Sequence, residues 1–403
     1  ENRGAGVHVT TDGAPLCSAN EIFDGRSYGV LVTESGRGEW HANEIRASSA
    51  AGVLVSESAD PLFSKNHIHL GKACGVVVEK EAKGTFTANT VECNALSGVE
   101  SRSAAESTLT DNLVQKNAAH GVCVCQEGRG LFTGNKILQN RRSGVSSESG
   151  GDARFVKNDM LSNEDSGIFA HQRGLCTFEG NHAAYNGLAG VEVTTAGHPT
   201  CVGNFIDNQA RFGVFAHNKG LGSCESNEIC RNGDAGVQIE EGANPVFVEN
   251  VISENASYGL HSTDCGLGEV RSNRILRNSH NVGISRKAAP VLERNLIAEA
   301  SKEGVLSFDG AKGLLLDNVI EGNAECGIHL LTAAETVFKR NKVCSGADLG
   351  VSVTDGGLGL LEENEIFGNA GHNVQVSTAG DPVMAMNTIR DSSFKAGVHV
   401  TKE

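Results

Sequence analysis

Five residues stand 23 positions apart in the order Glu148, His171, Thr194, His217, Glu240. A carboxylate next to an imidazole is equipped for general acid–base work, so Glu148, His171, His217 and Glu240 form the candidate catalytic set. The competing reading is a solvated stripe of alternating polar residues. Twelve cysteines form a second reservoir of reactivity. None belongs to a Cys-x-x-Cys pair, and Cys123 and Cys125, one residue apart, are too close for an ordinary zinc pair. The expectation is therefore reduced thiols, no metal site and no cofactor, in a cytoplasmic or nuclear protein.

The elements that carry these residues follow from the same spacing. Glycine recurs at Gly6, Gly29, Gly52, Gly75, Gly98 and onward to Gly259, then at Gly283, Gly304, Gly327, Gly350, Asn373 and Gly397. Asn373 in this series suggests a backbone with positive φ, where Asn best replaces Gly. A second series is asparagine without a gap, from Asn20, Asn43 and Asn66 to Asn364 and Asn387. Stacked side chains of this kind can form a hydrogen-bonded ladder. A partial third series lies five residues on, with Asn94, Asn117, Asn140, Asn163 and Asn186, and reads as turn residues tolerant of left-handed backbone. The sequon at Asn255-Ala-Ser257 falls in that turn and reads as structural.

Three residues before each ladder asparagine stands a bulky apolar residue or cysteine, including Cys17, Trp40, Phe63, Phe86, Phe132, Phe155, Phe178 and Phe247. This is the candidate core. All six prolines lie five residues before a ladder asparagine. Proline cannot donate to a sheet, so that position is a corner or a strand start. Segments such as Gly52-Val53-Leu54-Val55 alternate with period two, with Val53 and Val55 on one face and Leu54 on the other. The helical i, i+3, i+4 pattern is missing.

The fold class expected is all-β: a single-domain right-handed parallel β-helix of about seventeen 23-residue coils, three short strands per coil, residues 1–403. Coils stacked every ~4.8 Å put like residues over one another. Cys201 and Cys224 would then lie about 5 Å apart, within disulfide range, although packed thiols are the favoured reading. An outward apolar series, Leu31, Leu54 and Val77 with Phe169 and Phe215 further on, is the candidate binding surface. The rival is cover by neighbouring turns.

Net charge is −15, which disfavours a phosphate-tracking surface and thus nucleic acid. No apolar run of 18 residues occurs, so no membrane-spanning helix is expected. The chain starts and stops inside the repeat, which reads as a domain of a longer protein or as ends that self-associate. The near-absence of insertions argues against a deep pocket.

Coils alternate between Gly-x-Gly corners, as in Gly36-Arg37-Gly38 and Gly128-Arg129-Gly130, and small-x-Pro corners, as in Ala59-Asp60-Pro61 and Gly197-His198-Pro199. With Asn43-Glu44-Ile45 and Ala51-Gly52-Val53-Leu54-Val55, these strings resemble carbohydrate-binding/sugar-hydrolase β-helix repeats, closest to those of F-box-only ubiquitin-ligase receptors. The resemblance implies a protein-interaction scaffold that selects a protein or peptide partner and is not an enzyme. The alternatives are a carbohydrate-binding or carbohydrate-modifying β-helix, lyase-like or epimerase-like, and a structural rod.

Overall fold

The computed structural model describes residues 3–377, 379–393 and 397–401. Residues 1–205 and 206–403 form two compact units. Strands alone make up the regular structure of the described residues, three to a turn over about seventeen turns, all paired in parallel.

In the first unit Val53–Val55 pairs with Val76–Val78, setting Val53 on Val76 and Leu54 on Val77. The first and third residues of each such strand face inward. Val53, Val55, Val76 and Val78 are fully buried. The second sheet carries the bulky column: Trp40, Phe63 and Phe86 stack at 5.5 and 5.1 Å between ring centroids. Phe132, Phe155 and Phe178 stack at 4.5 and 5.0 Å. The second unit repeats the arrangement, with Phe247 on Val270 and Leu315 on Phe338. Each such side chain contributes about 1.5–3 kcal/mol by burial. The third sheet adds an inward isoleucine or valine per turn, as Ile45 on Ile68.

The ladder between the second and third sheets is formed as expected. Asn112 Nδ2 donates to Phe86 O at 2.9 Å and to Asn135 Oδ1 at 2.9 Å, and Asn112 N donates to the same Oδ1 at 2.9 Å. Fully buried amides are thereby satisfied. The left-handed residue at this corner is the one before the asparagine, Ala88 at φ 54°, Asp111 at 55° and Lys157 at 54°, and the same holds in the partial series, where left-handed asparagine was expected: Cys93 at 55° precedes Asn94 and Lys116 at 55° precedes Asn117. The asparagine holds the corner through its side chain while its neighbour makes the bend.

The glycine column also has a different cause from the one expected, since these glycines do not have positive φ. A Cβ on Gly75 would lie 2.7 Å from Gly98 O, 2.4 Å from Val91 Cγ1 and 2.8 Å from Asn94 Nδ2. Close approach of successive coils selects glycine. Asn373 and Asn281 occupy this column where the partial ladder lacks its asparagine nineteen residues on, at Ser392 and Ala300. There the column asparagine supplies the missing acceptor: Asn278 Nδ2 donates to Asn281 Oδ1 at 3.0 Å, and Asn369 Nδ2 to Asn373 Oδ1 at 2.9 Å.

One register assignment is thereby corrected. Tyr258 pairs with His280, Leu260 with Val282 and His261 with Gly283. Asn281, not Gly283, is therefore the column residue. The turn Asn278–Asn281 is one residue shorter than its predecessor Asn255–Gly259, and Gly283 takes an outward position in the first sheet.

Candidate functional site

The outward face of the first sheet gathers the chemistry in both units. In the second unit a cleft of about 380 Å³ is lined by Arg211, Phe212, Phe215, Asp234, Gln238, Glu240, Tyr258, His261, Thr263, Asp264, Ser285, Arg286 and Phe308. The cleft is open and is made of side chains, and Gly283 beside it leaves room for two rings. A Cβ there would lie 2.5 Å from Tyr258 Cε1 and 2.9 Å from His261 Cδ2.

Tyr258 and His261 stack at 4.4 Å. Burial, with Arg286 beside it, pushes the His261 imidazole down to about 4, so it is neutral at pH 7. Its Nδ1 lies 3.1 Å from Gln238 Oε1, and Gln238 Nε2 donates to Glu240 Oε2 at 3.1 Å. Glu240 thus turns the Gln238 carbonyl toward His261. Nδ1 then carries the proton and Nε2, 3.4 Å from Ser285 Oγ, keeps its lone pair. Ser285 Oγ is itself 2.9 Å from Thr263 Oγ1. Burial, with Glu303 and Asp234 nearby, raises the Tyr258 phenol, which stays protonated. Tyr258 also stacks on His280 at 4.9 Å. His280 and His329 reach Glu303 at 3.1 and 3.4 Å. Against the opposing effect of burial, these two imidazoles hold the Glu303 carboxyl well below the usual range.

The expected catalytic set is divided between the units. Glu148 Oε2 and His171 Nε2 meet at 3.2 Å in the first unit, with Ser146 Oγ 3.3 Å from the same nitrogen and Phe169 stacked on the ring at 4.2 Å. Burial lowers His171. Thr194 is buried. In the second unit His217 faces Glu241 Oε2 at 3.8 Å and stacks on Phe215 at 4.3 Å. Glu240 lines the cleft and acts on His261 through Gln238. Sequence reasoning passed over Tyr258, His261, Arg211 and Arg286. His261 lies two coils beyond Phe215 in the same outward column, so that column carried the signal.

The centre of the apolar series is covered, while Leu31, Phe169 and Phe215 are half-buried. Leu54 and Val77 are only 7% and 5% exposed, in a cluster with Ala51 and Cys74 against which Tyr28 and Leu31 pack. Phe215 is half-buried at the cleft. Cys201 and Cys224 are buried thiols, one in each unit. Cys123 Sγ, Cys125 Sγ and a Glu148 carboxylate oxygen, set aside in the sequence, lie within 4.8 Å of one another.

The geometry defines a β-solenoid with a polar, ring-lined outer face. The chain belongs to the family described as right handed beta helix region, which matches residues 5–160, 143–288 and 280–403. A search of the curated proteins gives no match. Among solved structures, the A-module of mannuronan C-5 epimerase AlgE4 from Azotobacter vinelandii matches at 14% identity and TM-score 0.44, over 76% of this chain and 86% of that one. The periplasmic alginate epimerase AlgG matches at 10% identity and TM-score 0.35, over 83% and 78%. A hyper-glycosylated TibA fragment matches at 12% and 0.34, over 87% and 99%. These are likenesses of β-helical architecture.

The expected β-helix repeats are found at the level of the family, the right-handed β-helix region, and that match says nothing of F-box-only ubiquitin-ligase receptors. The expectation of a non-enzymatic protein scaffold is corrected: Leu54 and Val77, at the centre of the surface on which it rested, are covered by Ala51, Cys74, Tyr28 and Leu31.

Proposed function

We propose that the outward cleft of the second unit binds a saccharide chain bearing carboxylates and modifies it by proton transfer. The observation that carries this reading is the stacking of His261 on Tyr258 over Gly283, beside a cleft that also holds Arg211 and Arg286. Removing a proton from a sugar carbon next to a carboxylate needs a base, a proton donor and positive charge on the carboxylate. His261 Nε2 supplies the lone pair, the Tyr258 phenol supplies a proton, and Arg211 meets the carboxylate, joined by Arg286 when the substrate displaces its partner Asp264, 3.2 Å away. Phe215, backed at 4.8 Å by the buried ring of Phe212, offers an apolar face to the sugar ring. Glu240 is a positioning residue, because it fixes the tautomer of His261 through Gln238. The alginate epimerases named above act on a polymer of this class.

The test is to incubate the chain with polymannuronate, polygalacturonate and a neutral glucan. Proton NMR follows epimerisation, and ultraviolet absorbance follows unsaturated uronate from elimination. Turnover of an acidic polymer, lost in His261→Ala and Tyr258→Phe, supports the reading. No turnover of either acidic polymer, or turnover unchanged in both variants, overturns it.

A further inference from the structure

The outer face of the first unit carries a different donor set, independent of the cleft just described. Cys123 is the middle, outward residue of strand Val122–Val124, and Cys125 follows it on the same side. The chain runs from Cys125 to a coil held on both sides: Cys125 N donates to Ser101 O at 3.0 Å, and Glu148 N to Val124 O at 3.0 Å. Cys125 therefore sits between the Arg102 and Glu148 coils. Both cysteines are buried, at 8% and 5% exposure. Cys123 Sγ is 4.0 Å from Glu148 Oε1, and Cys125 Sγ is 4.0 Å from Glu100 Oε1. His171 and Arg102 orient the two carboxylates, His171 Nε2 at 3.2 Å from Glu148 Oε2 and Arg102 Nη1 at 2.9 Å from Glu100 Oε1.

We propose that Cys123, Cys125 and Glu148 bind a thiophilic divalent cation of the zinc type, with Glu100, which faces Cys125 Sγ, as a fourth donor. A tetrahedral site with bonds of about 2.3 Å to sulfur and 2.0 Å to oxygen needs donors roughly 3.5–3.8 Å apart. The 4.0 Å separations close to that range by side-chain rotation alone. Two thiolates select a soft or borderline cation over magnesium or calcium. The carboxylates have the imidazole and guanidinium partners that metal ligands commonly require. A disulfide is the poorer use of this pair, because residues two apart on an extended strand have Cα atoms about 6.6 Å apart, at the far edge of the bridging range. Binding one cation releases two thiol protons to solvent, so affinity rises with pH.

The experiment loads the reduced chain with Zn²⁺, and in parallel with Co²⁺ or Cd²⁺ as spectroscopic probes. Metal content is measured after gel filtration. Alkylation of each cysteine is mapped by mass spectrometry with and without Zn²⁺, and the exposed Cys93 and Cys265 serve as internal controls. The expected result is one bound equivalent, a thiolate-to-metal absorption band, and protection of Cys123 and Cys125 but not of Cys93 or Cys265. Binding falls at least tenfold in Glu148→Gln and is lost in Cys123→Ser/Cys125→Ser, whose thermal unfolding without metal matches the parent. Sub-stoichiometric metal, an unprotected pair, or unchanged binding in the double serine variant overturns the proposal.

Discussion

Asn281 and Ala300 form a natural exchange, and reversing it tests the ladder account quantitatively. Asn281 is fully buried and its side chain makes four hydrogen bonds. It accepts from Asn278 N at 3.3 Å and Asn278 Nδ2 at 3.0 Å. It donates to Ala298 O at 2.7 Å and Asn323 Oδ1 at 3.3 Å. Asn281→Gly orphans one buried group, Asn278 N, while Asn278 Nδ2 keeps Ile252 O and Leu276 O, Asn323 Oδ1 keeps Ala300 N and Ala298 O keeps Arg277 N. At about 1–3 kcal/mol for the orphaned amide and about 0.5–1.5 kcal/mol for each of the other bonds lost, the loss comes to about 3–7 kcal/mol. Ala300→Asn alone forces a second amide into the space Asn281 fills, costing about 1–3 kcal/mol. The double variant restores the arrangement of the regular coils, where the turn asparagine bonds its successor and glycine keeps the column open. Urea unfolding of the four proteins is the assay, and the double variant is expected within about 1 kcal/mol of the parent, giving a coupling of at least 3 kcal/mol. Additive losses would refute the exchange.

Gly283→Ala places a methyl group 2.5–2.9 Å from the Tyr258 and His261 rings. The rings must shift by about 1 Å, and turnover should fall about 100-fold while far-ultraviolet circular dichroism is kept. Phe155→Ala removes a fully buried ring stacked on both sides and should cost about 3–5 kcal/mol in unfolding experiments. Burial pushes both His120 and His261 down to about 4. A depressed histidine pKa means that the unfolded state takes up protons first, so stability is full above pH 6.5 and is lost as pH falls toward 4. Each residue contributes ~3 kcal/mol at most, and His261→Phe should flatten the denaturation free energy between pH 7 and 4.5. Leu54→Asp is expected to destabilise the first unit by about 2 kcal/mol or more, as burying an unpaired carboxylate does, and an unchanged melting temperature would show the patch to be open.

Much of the fold was legible because each coil repeats the same demands. The files of Phe, Asn and Gly announced parallel stacking, and period-two alternation placed Val53 and Val55 inside. The reasons behind two files were not legible. Glycine and asparagine are the residues of positive φ, yet here a close carbonyl selects glycine, and Cys93 or Lys116 makes the bend that Asn94 or Asn117 was expected to make. The site was half legible for a related reason. The stripe through Glu148 and His171 found a real pair, and Glu240 belongs to the cleft. Placing Gly283 in the column concealed the shortened turn, and with it the gap into which Tyr258 and His261 fit. The outward Leu54 and Val77 misled because neighbouring coils cover one another, which a single coil's pattern does not show.

The most direct measurement is a crystal structure with a bound oligouronate. A sugar carboxylate on Arg211 or Arg286, with a ring carbon facing His261 Nε2 and the Tyr258 phenol within hydrogen-bond reach, is the predicted result. A saccharide that leaves the outward cleft of the second unit empty and occupies another face would contradict it.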